Sequence, residues 1–249
     1  MLSTSSRSII IRNGLLLLLA GAAGAIDAIS YLGLGRVFTA NMTGNTVLLG
    51  LALVQADHQE ALRASLALVG FLGGATLGAW IVEKGPSAGL WPRAVTVALT
   101  LEWGFLMVFA VGWLYTGGGA ATFAARGSLI VLSALAMGVQ SASARRLEVS
   151  GIATTYITGT VTTLATWLMR WLGRGGANGS LPPRAGTTDS GAPRQARRAV
   201  GLLAAVWGIY IGGAMAAGAC VRLSPELAVL FPLALMLVVM VTAAVHWPQ

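Results

Sequence analysis

Two short polar runs stand out in an otherwise hydrophobic chain. The first is Thr39-Ala40-Asn41-Met42-Thr43-Gly44-Asn45-Thr46, and the second is Thr154-Thr155-Tyr156-Ile157-Thr158-Gly159-Thr160-Val161. Both contain T-x-x-x-T-G, 115 residues apart. Hydroxyls and amides in a lipid-embedded chain need partners, because hydrocarbon supplies none. Thr-Gly followed by an apolar run has the form of a helix start. Thr39, Asn41, Thr43, Thr154 and Thr158 supply capping oxygens, and Gly44 and Gly159 permit a bend and close approach. A helix that begins inside the membrane presents about half a positive charge at its N-terminus, which suits an anion or a carboxylate-bearing solute. Asn41, Thr43, Gly44, Asn45, Thr154, Tyr156, Thr158 and Gly159 are therefore candidate substrate-binding residues. The alternative is a chain break that its own hydroxyls satisfy.

Ionisable residues inside apolar runs are the second chemical signal. Asp27 and Glu102 each lie within one. A carboxylate at the centre of a membrane helix costs about 2.5–3.5 kcal/mol on insertion scales, so it must be neutral, paired or facing water. Both are candidates for proton coupling, against the simpler reading of a structural ion pair. Arg145 and Arg146 follow Gln140-Ser141 and precede the second motif. Arg145 joins the candidate binding residues, because a guanidinium matches an anionic solute or a buried acid, although arginine at a helix end also commonly anchors topology.

The elements that must hold these groups are membrane helices. The chain has 249 residues, 56% hydrophobic and 10% charged, with a mean hydropathy of +0.77. A soluble domain carries about one-quarter charged residues, so this composition describes an all-α integral membrane protein in a lipid bilayer. Apolar runs near 14–35, 64–82, 93–115, 126–144, 197–219 and 227–246 predict six full spans, and two shorter runs, near 38–56 and 153–172, begin with the polar motifs. Similarity extends beyond the motifs. Gly24-Ala25-Ile26-Asp27-Ala28 matches Gly138-Val139-Gln140-Ser141-Ala142 at an offset of 114, and Gly70, Gly74 and Gly78 match Gly208, Gly212 and Ala216 at 138. Two homologous halves, 14–115 and 128–246, are expected. The first segment, despite its resemblance to a signal peptide, is expected to stay as a helix because 24–28 belongs to the repeat. Gly70, Gly74, Gly78, Gly208 and Gly212 fall four apart on helix faces, as close helix packing requires, within the chain or across a homodimer.

Charge placement bears on topology. Six of the 16 basic residues, Arg170, Arg174, Arg184, Arg194, Arg197 and Arg198, lie in or beside an Arg/Gly/Pro-rich stretch at 173–196. With six spans, two re-entrant motif segments and a cytoplasmic N-terminus, only Arg36, Arg63, Arg126 and Arg222 lie outside, leaving twelve of the 16 inside. Eight full spans, with parallel repeats, put six outside, so the six-span, inverted arrangement fits the positive-inside rule better. It places the N-terminus and the 173–196 loop in the cytoplasm. The net charge of +8 follows the same bias and lacks the aromatic-interleaved basic fold of a nucleic-acid binder. One cysteine, Cys220, rules out an internal disulfide, and the two histidines, His58 and His246, form no metal-ligand spacing. No phosphate-binding or hydrolase motif is present, so neither a cofactor nor an enzyme is expected.

Gly24–Ala28 followed by Val37-Phe38-Thr39-Ala40-Asn41-Met42-Thr43-Gly44-Asn45-Thr46, then Gly138–Ala142, Arg145-Arg146 and Thr154–Thr160, resembles the YoaK family of bacterial inner-membrane proteins. The resemblance covers nearly the whole chain outside the Arg-rich stretch. It implies a multi-spanning protein of the bacterial inner membrane and carries no catalytic residue. The residues themselves lead to an expected transporter or channel for a small, anionic solute. The alternative is a membrane scaffold or assembly partner that uses the glycine faces and the Arg-rich loop.

Overall fold

The computed structural model describes residues 4–85, 89–118, 122–147 and 192–247, with positions 162, 165, 168 and 169. The second Thr-Gly motif, with Thr154, Tyr156, Thr158 and Gly159, lies outside the described residues. Within them the chain is helical and contains no strand. The helices are α1 (Thr4–Gly33), α2 (Met42–Val54), α3 (His58–Lys84), α4 (Arg93–Tyr115), α5 (Phe123–Arg146), α6 (Ala192–Leu223) and α7 (Leu230–His246), with a 3-10 turn at Pro225–Val229 before α7. α6 begins inside the stretch read as loop from sequence, so 192–196 are helical. Among the described residues six segments are long and apolar enough to cross a membrane: Arg7–Gly33, His58–Lys84, Arg93–Tyr115, Phe123–Arg146, Gly201–Leu223 and Pro225–His246. These are the six spans expected from the hydropathy pattern. α2 has 13 residues, a length of about 20 Å, and falls short of the hydrocarbon thickness of about 30 Å.

Local chemistry sets the breaks. Gly35 and Arg36 both adopt positive φ, at 92° and 61°, and turn the chain back at the end of α1. Asp57 caps α3 by accepting the Gln59 and Glu60 N–H groups at 3.0 and 2.9 Å. Thr122 caps α5 through the Ala125 N–H at 3.4 Å.

Packing relies on bare backbone surfaces. α3 and α5 run parallel, with Gly70 against Val131 and Ala134, Gly74 against Leu135, and Gly78 against Val139 and Ala142. A methyl group on Gly74 would overlap the Leu135 carbonyl, and one on Gly138 would overlap the Phe71 carbonyl. α1 and α6 use the same device, since a methyl on Gly213 would meet the Gly21 carbonyl and one on Gly24 the Tyr210 carbonyl. Among the described residues nothing stands within 4 Å of a Cβ added to Gly208 or Gly212, which the sequence pattern assigns to packing within the chain or across a homodimer; the contact with α1 is made by Gly213. The last pair, α4 and α7, is antiparallel. Trp91 stacks on Trp247 at 5.3 Å at one end, and the Trp113 indole N–H donates to the Pro225 carbonyl at 2.8 Å at the other.

Close approach of this kind makes a sharp prediction. Gly74→Val and Gly138→Val should each cost about 1–3 kcal/mol, seen as a lower unfolding midpoint in detergent. Gly104→Ala meets nothing within 4 Å among the described residues and should leave the midpoint unchanged or raise it slightly. Wild-type stability in both valine variants would contradict the parallel α3–α5 contact.

Candidate functional site

The first Thr-Gly motif forms a break between α1 and α2, and its ligand belongs to the chain. After the Gly35–Arg36 reversal, residues 37–41 run back alongside α1. The N–H groups of Thr39, Ala40 and Asn41 all donate to one oxygen of Asp27, at 2.9, 2.7 and 3.4 Å. The other oxygen accepts the hydroxyl of Tyr210 on α6, at 2.5 Å. The cradle of successive N–H groups that favours an anion is therefore filled by the Asp27 carboxyl. Asp27 itself is only 3% exposed.

The neighbouring polar residues complete this break. Asn45, fully buried, pairs with the Phe38 backbone in both directions: its amide donates to the Phe38 carbonyl at 2.6 Å and its oxygen accepts the Phe38 N–H at 3.0 Å. Asn41 is the N-cap of α2 and accepts the Gly44 N–H at 3.2 Å. Gly44 lies under the Phe38 ring, where a Cβ would stand 2.9 Å from the ring edge. Tyr31 stacks on the other side of the loop, its ring 5.1 Å from that of Phe38. Thr39 reaches the Ser30 hydroxyl at 3.4 Å, and Thr43 is exposed on the first turn of α2. Asp27, Asn41, Gly44 and Asn45 are thus brought together, and Tyr210 joins them from 183 residues away. Sequence reasoning missed Tyr210. A tyrosine in the middle of an apolar, glycine-rich helix was the available signal.

Glu102 occupies a different place. It lies on the face of α4 that carries Ala98, Leu99, Leu106 and Phe109, and it is fully buried. Among the described residues neither carboxyl oxygen has a hydrogen-bond partner. A carboxyl held away from water is costly to ionise unless a partner offsets the charge. Arg145 is elsewhere again, exposed at the C-terminal end of α5. With Arg146 and Glu83 it lines a cavity of about 830 Å³ between α3 and α5, which Met42 at the start of α2 also borders.

The geometry ranks three substitutions at the break. Asp27→Leu strands three buried N–H groups and should be the most damaging, at about 3 kcal/mol or more. Asn45→Leu, which leaves the Phe38 N–H and carbonyl unpaired, should come next. Tyr210→Phe removes one donor from a carboxyl acceptor and should cost about 1–2 kcal/mol. Unfolding midpoints of the purified variants check the order, and a neutral Asp27→Leu would remove the cradle from the account.

Known proteins agree with this architecture. The family described as "Protein of unknown function (DUF1275)" matches residues 15–242. The UPF0700 transmembrane protein YoaK of Bacillus subtilis (strain 168) is 44% identical over 153 residues, 61% of this chain and 65% of the relative. The chain thus spans just under two-thirds of the length of the curated relative it matches. No solved structure matches. Six apolar helices, a match across residues 15–242 and a transmembrane relative leave one assignment: this multi-pass membrane protein belongs to the DUF1275 family, as its resemblance to YoaK implied.

Proposed function

We propose that this chain is a proton-coupled membrane carrier for a small anionic solute, and that it is not an enzyme. The observation that carries this reading is Glu102. A fully buried carboxyl with no partner among the described residues contributes nothing to packing that a leucine would not improve. In membrane proteins such groups mark proton relays and ion paths. Glu102 holds its proton while sealed by α4 and its neighbours, and releases it when that face opens to water.

The helix arrangement supports the same reading. α1 pairs in parallel with α6, and α3 with α5, through matching glycine contacts, while α4 and α7 run antiparallel. Two inverted halves related by an axis in the membrane plane produce this pattern, and α2 is then a short re-entrant element. Inverted repeats with discontinuous helices recur among carriers. Lys84, Arg93 and Arg146 stand at helix ends on a common face, which we take as cytoplasmic together with the N-terminus and the 173–196 stretch, in a bacterial inner membrane.

The test uses N,N′-dicyclohexylcarbodiimide, which enters lipid and modifies protonated carboxyls. Glu102 should be modified in native membranes, and modification should fall steadily from mildly acidic to alkaline buffer as its proton exchanges with water. Modification independent of pH would make Glu102 a sealed structural acid and sink the carrier. In proteoliposomes containing pyranine, a gradient of octanesulfonate should move protons with wild-type protein and not with Glu102→Gln.

A further inference from the structure

Two contacts fix the α4–α7 pair, one near each end, and the register between them places Glu102. Trp91 stacks on Trp247, and the Trp113 indole N–H donates to the Pro225 carbonyl. Trp91 and Trp113 are 22 residues apart, and so are Pro225 and Trp247. Glu102 lies 11 residues from each of the first two, and Met236 lies 11 from each of the second two. Eleven residues make about three turns of α-helix, so in this antiparallel pair Glu102 and Met236 fall at one level, halfway between the fixings. Facing follows from the same count. Glu102 stands three turns from Trp113 along α4, and Met236 three turns from Trp247 along α7, so each is on the side that meets the other helix. Leu235, about 100° further round α7, is the residue that meets α1, with its Cδ1 3.6 Å from a Cβ added to Gly21. Glu102 and Met236 are both fully buried, and so, on the same two faces, are Leu106 and Phe109 of α4 and Val239 of α7. The ionisable side chains of α3, α5 and α7 all stand within two turns of a helix end, and Glu226 precedes α7. Asp27 on α1 is committed to the 39–41 loop and to Tyr210.

We propose that Met236 faces Glu102 across this seam and is the positioning residue that keeps the carboxyl in its proton-bearing form while the site is closed. The chemistry of the thioether decides this. Its sulfur accepts a weak hydrogen bond and has no proton to donate. A carboxylic acid can turn its O–H toward that sulfur, whereas a carboxylate finds no donor there. The seam therefore supports one protonation state and offers nothing to the other. To lose its proton Glu102 must meet water, so α4 and α7 must part at this level first. The proton then passes to that water and leaves a carboxylate, and on closing the carboxylate takes a proton back before the seam seals. The inference deepens the carrier reading and rests on it for its role in transport; the facing of Glu102 and Met236 rests on the register alone.

The pH at which carbodiimide modification of Glu102 is half-maximal, measured in native membranes, reads this directly. Met236→Gln brings an N–H donor to the carboxylate and should lower that pH by about one unit, the tenfold change that a hydrogen bond to a charged group implies. Met236→Leu fills similar space without a donor and should stay within about half a unit of wild type. Ala243→Gln, seven residues along α7, should leave the profile unchanged. No shift in Met236→Gln, an equal shift in Ala243→Gln, or a shift in Met236→Leu as large as in Met236→Gln overturns the inference, the last because loosened packing then accounts for it. Should Met236→Gln not fold, a second measurement decides. In Cys220→Ser protein, Glu102→Cys and Met236→Cys should be joined by iodine oxidation, read as a mass change on the linked peptides, and Glu102→Cys with Ala243→Cys should not; absence of the first link overturns the facing. A pH-dependent wild type with an unshifted Met236→Gln leaves the carrier standing without this residue. A wild-type profile flat with pH removes the carrier, and this role with it, whether or not the cross-link forms.

Discussion

Backbone that leaves the helix inside a bilayer must find partners within the protein, and here one carboxyl does most of that work. Three consecutive N–H groups at 39–41 meet Asp27, while Asn45 satisfies Phe38 in both directions. These bonds satisfy the backbone where α1 has ended, the chain has reversed at Gly35–Arg36 and α2 is about to start. The short α2, its contact with α3 and the position of Met42 beside the α3–α5 cavity all follow from that turn. The Thr-Gly motif is better understood as one half of a bond whose other half lies 12 residues earlier.

Association of the long helices rests on a second constraint. Lipid tails are as apolar as leucine, so burial alone does not pair helices, and close backbone contact supplies dispersion and dipole interactions instead. Gly24, Gly74, Gly138 and Gly213 provide it at two places. Tryptophans join α4 to α7 by different means, with a ring stack at one membrane face and an indole N–H bonded to a carbonyl at the other.

Much of this was legible in the sequence, and the failures have physical causes. Helix number and position follow from hydropathy, because hydrocarbon tolerates little else. Asp27 and Glu102 were conspicuous for the same reason. That Asp27 and the motif form one unit was not legible, since it depends on two successive positive φ values that reverse the chain, one of them at an arginine. Register also escaped. The sequence pattern assigns Gly208 and Gly212 to packing, whereas among the described residues it is Gly213 that meets the Gly21 carbonyl, because a helix face one residue away carries equally small side chains. Tyr210 has no partner in sequence space at all. Only the fold brings its hydroxyl to an acid 183 residues away.

The Asp27–Tyr210 hydrogen bond crosses from α1 to α6, and the same carboxyl holds the backbone of the break that follows α1. Sliding α1 along α6 breaks that buried bond, so a shift of the pair also pulls on the turn that starts α2. One carboxyl is thus both the rivet of a helix seam and the anchor of the adjoining turn, and neither can shift without straining the other.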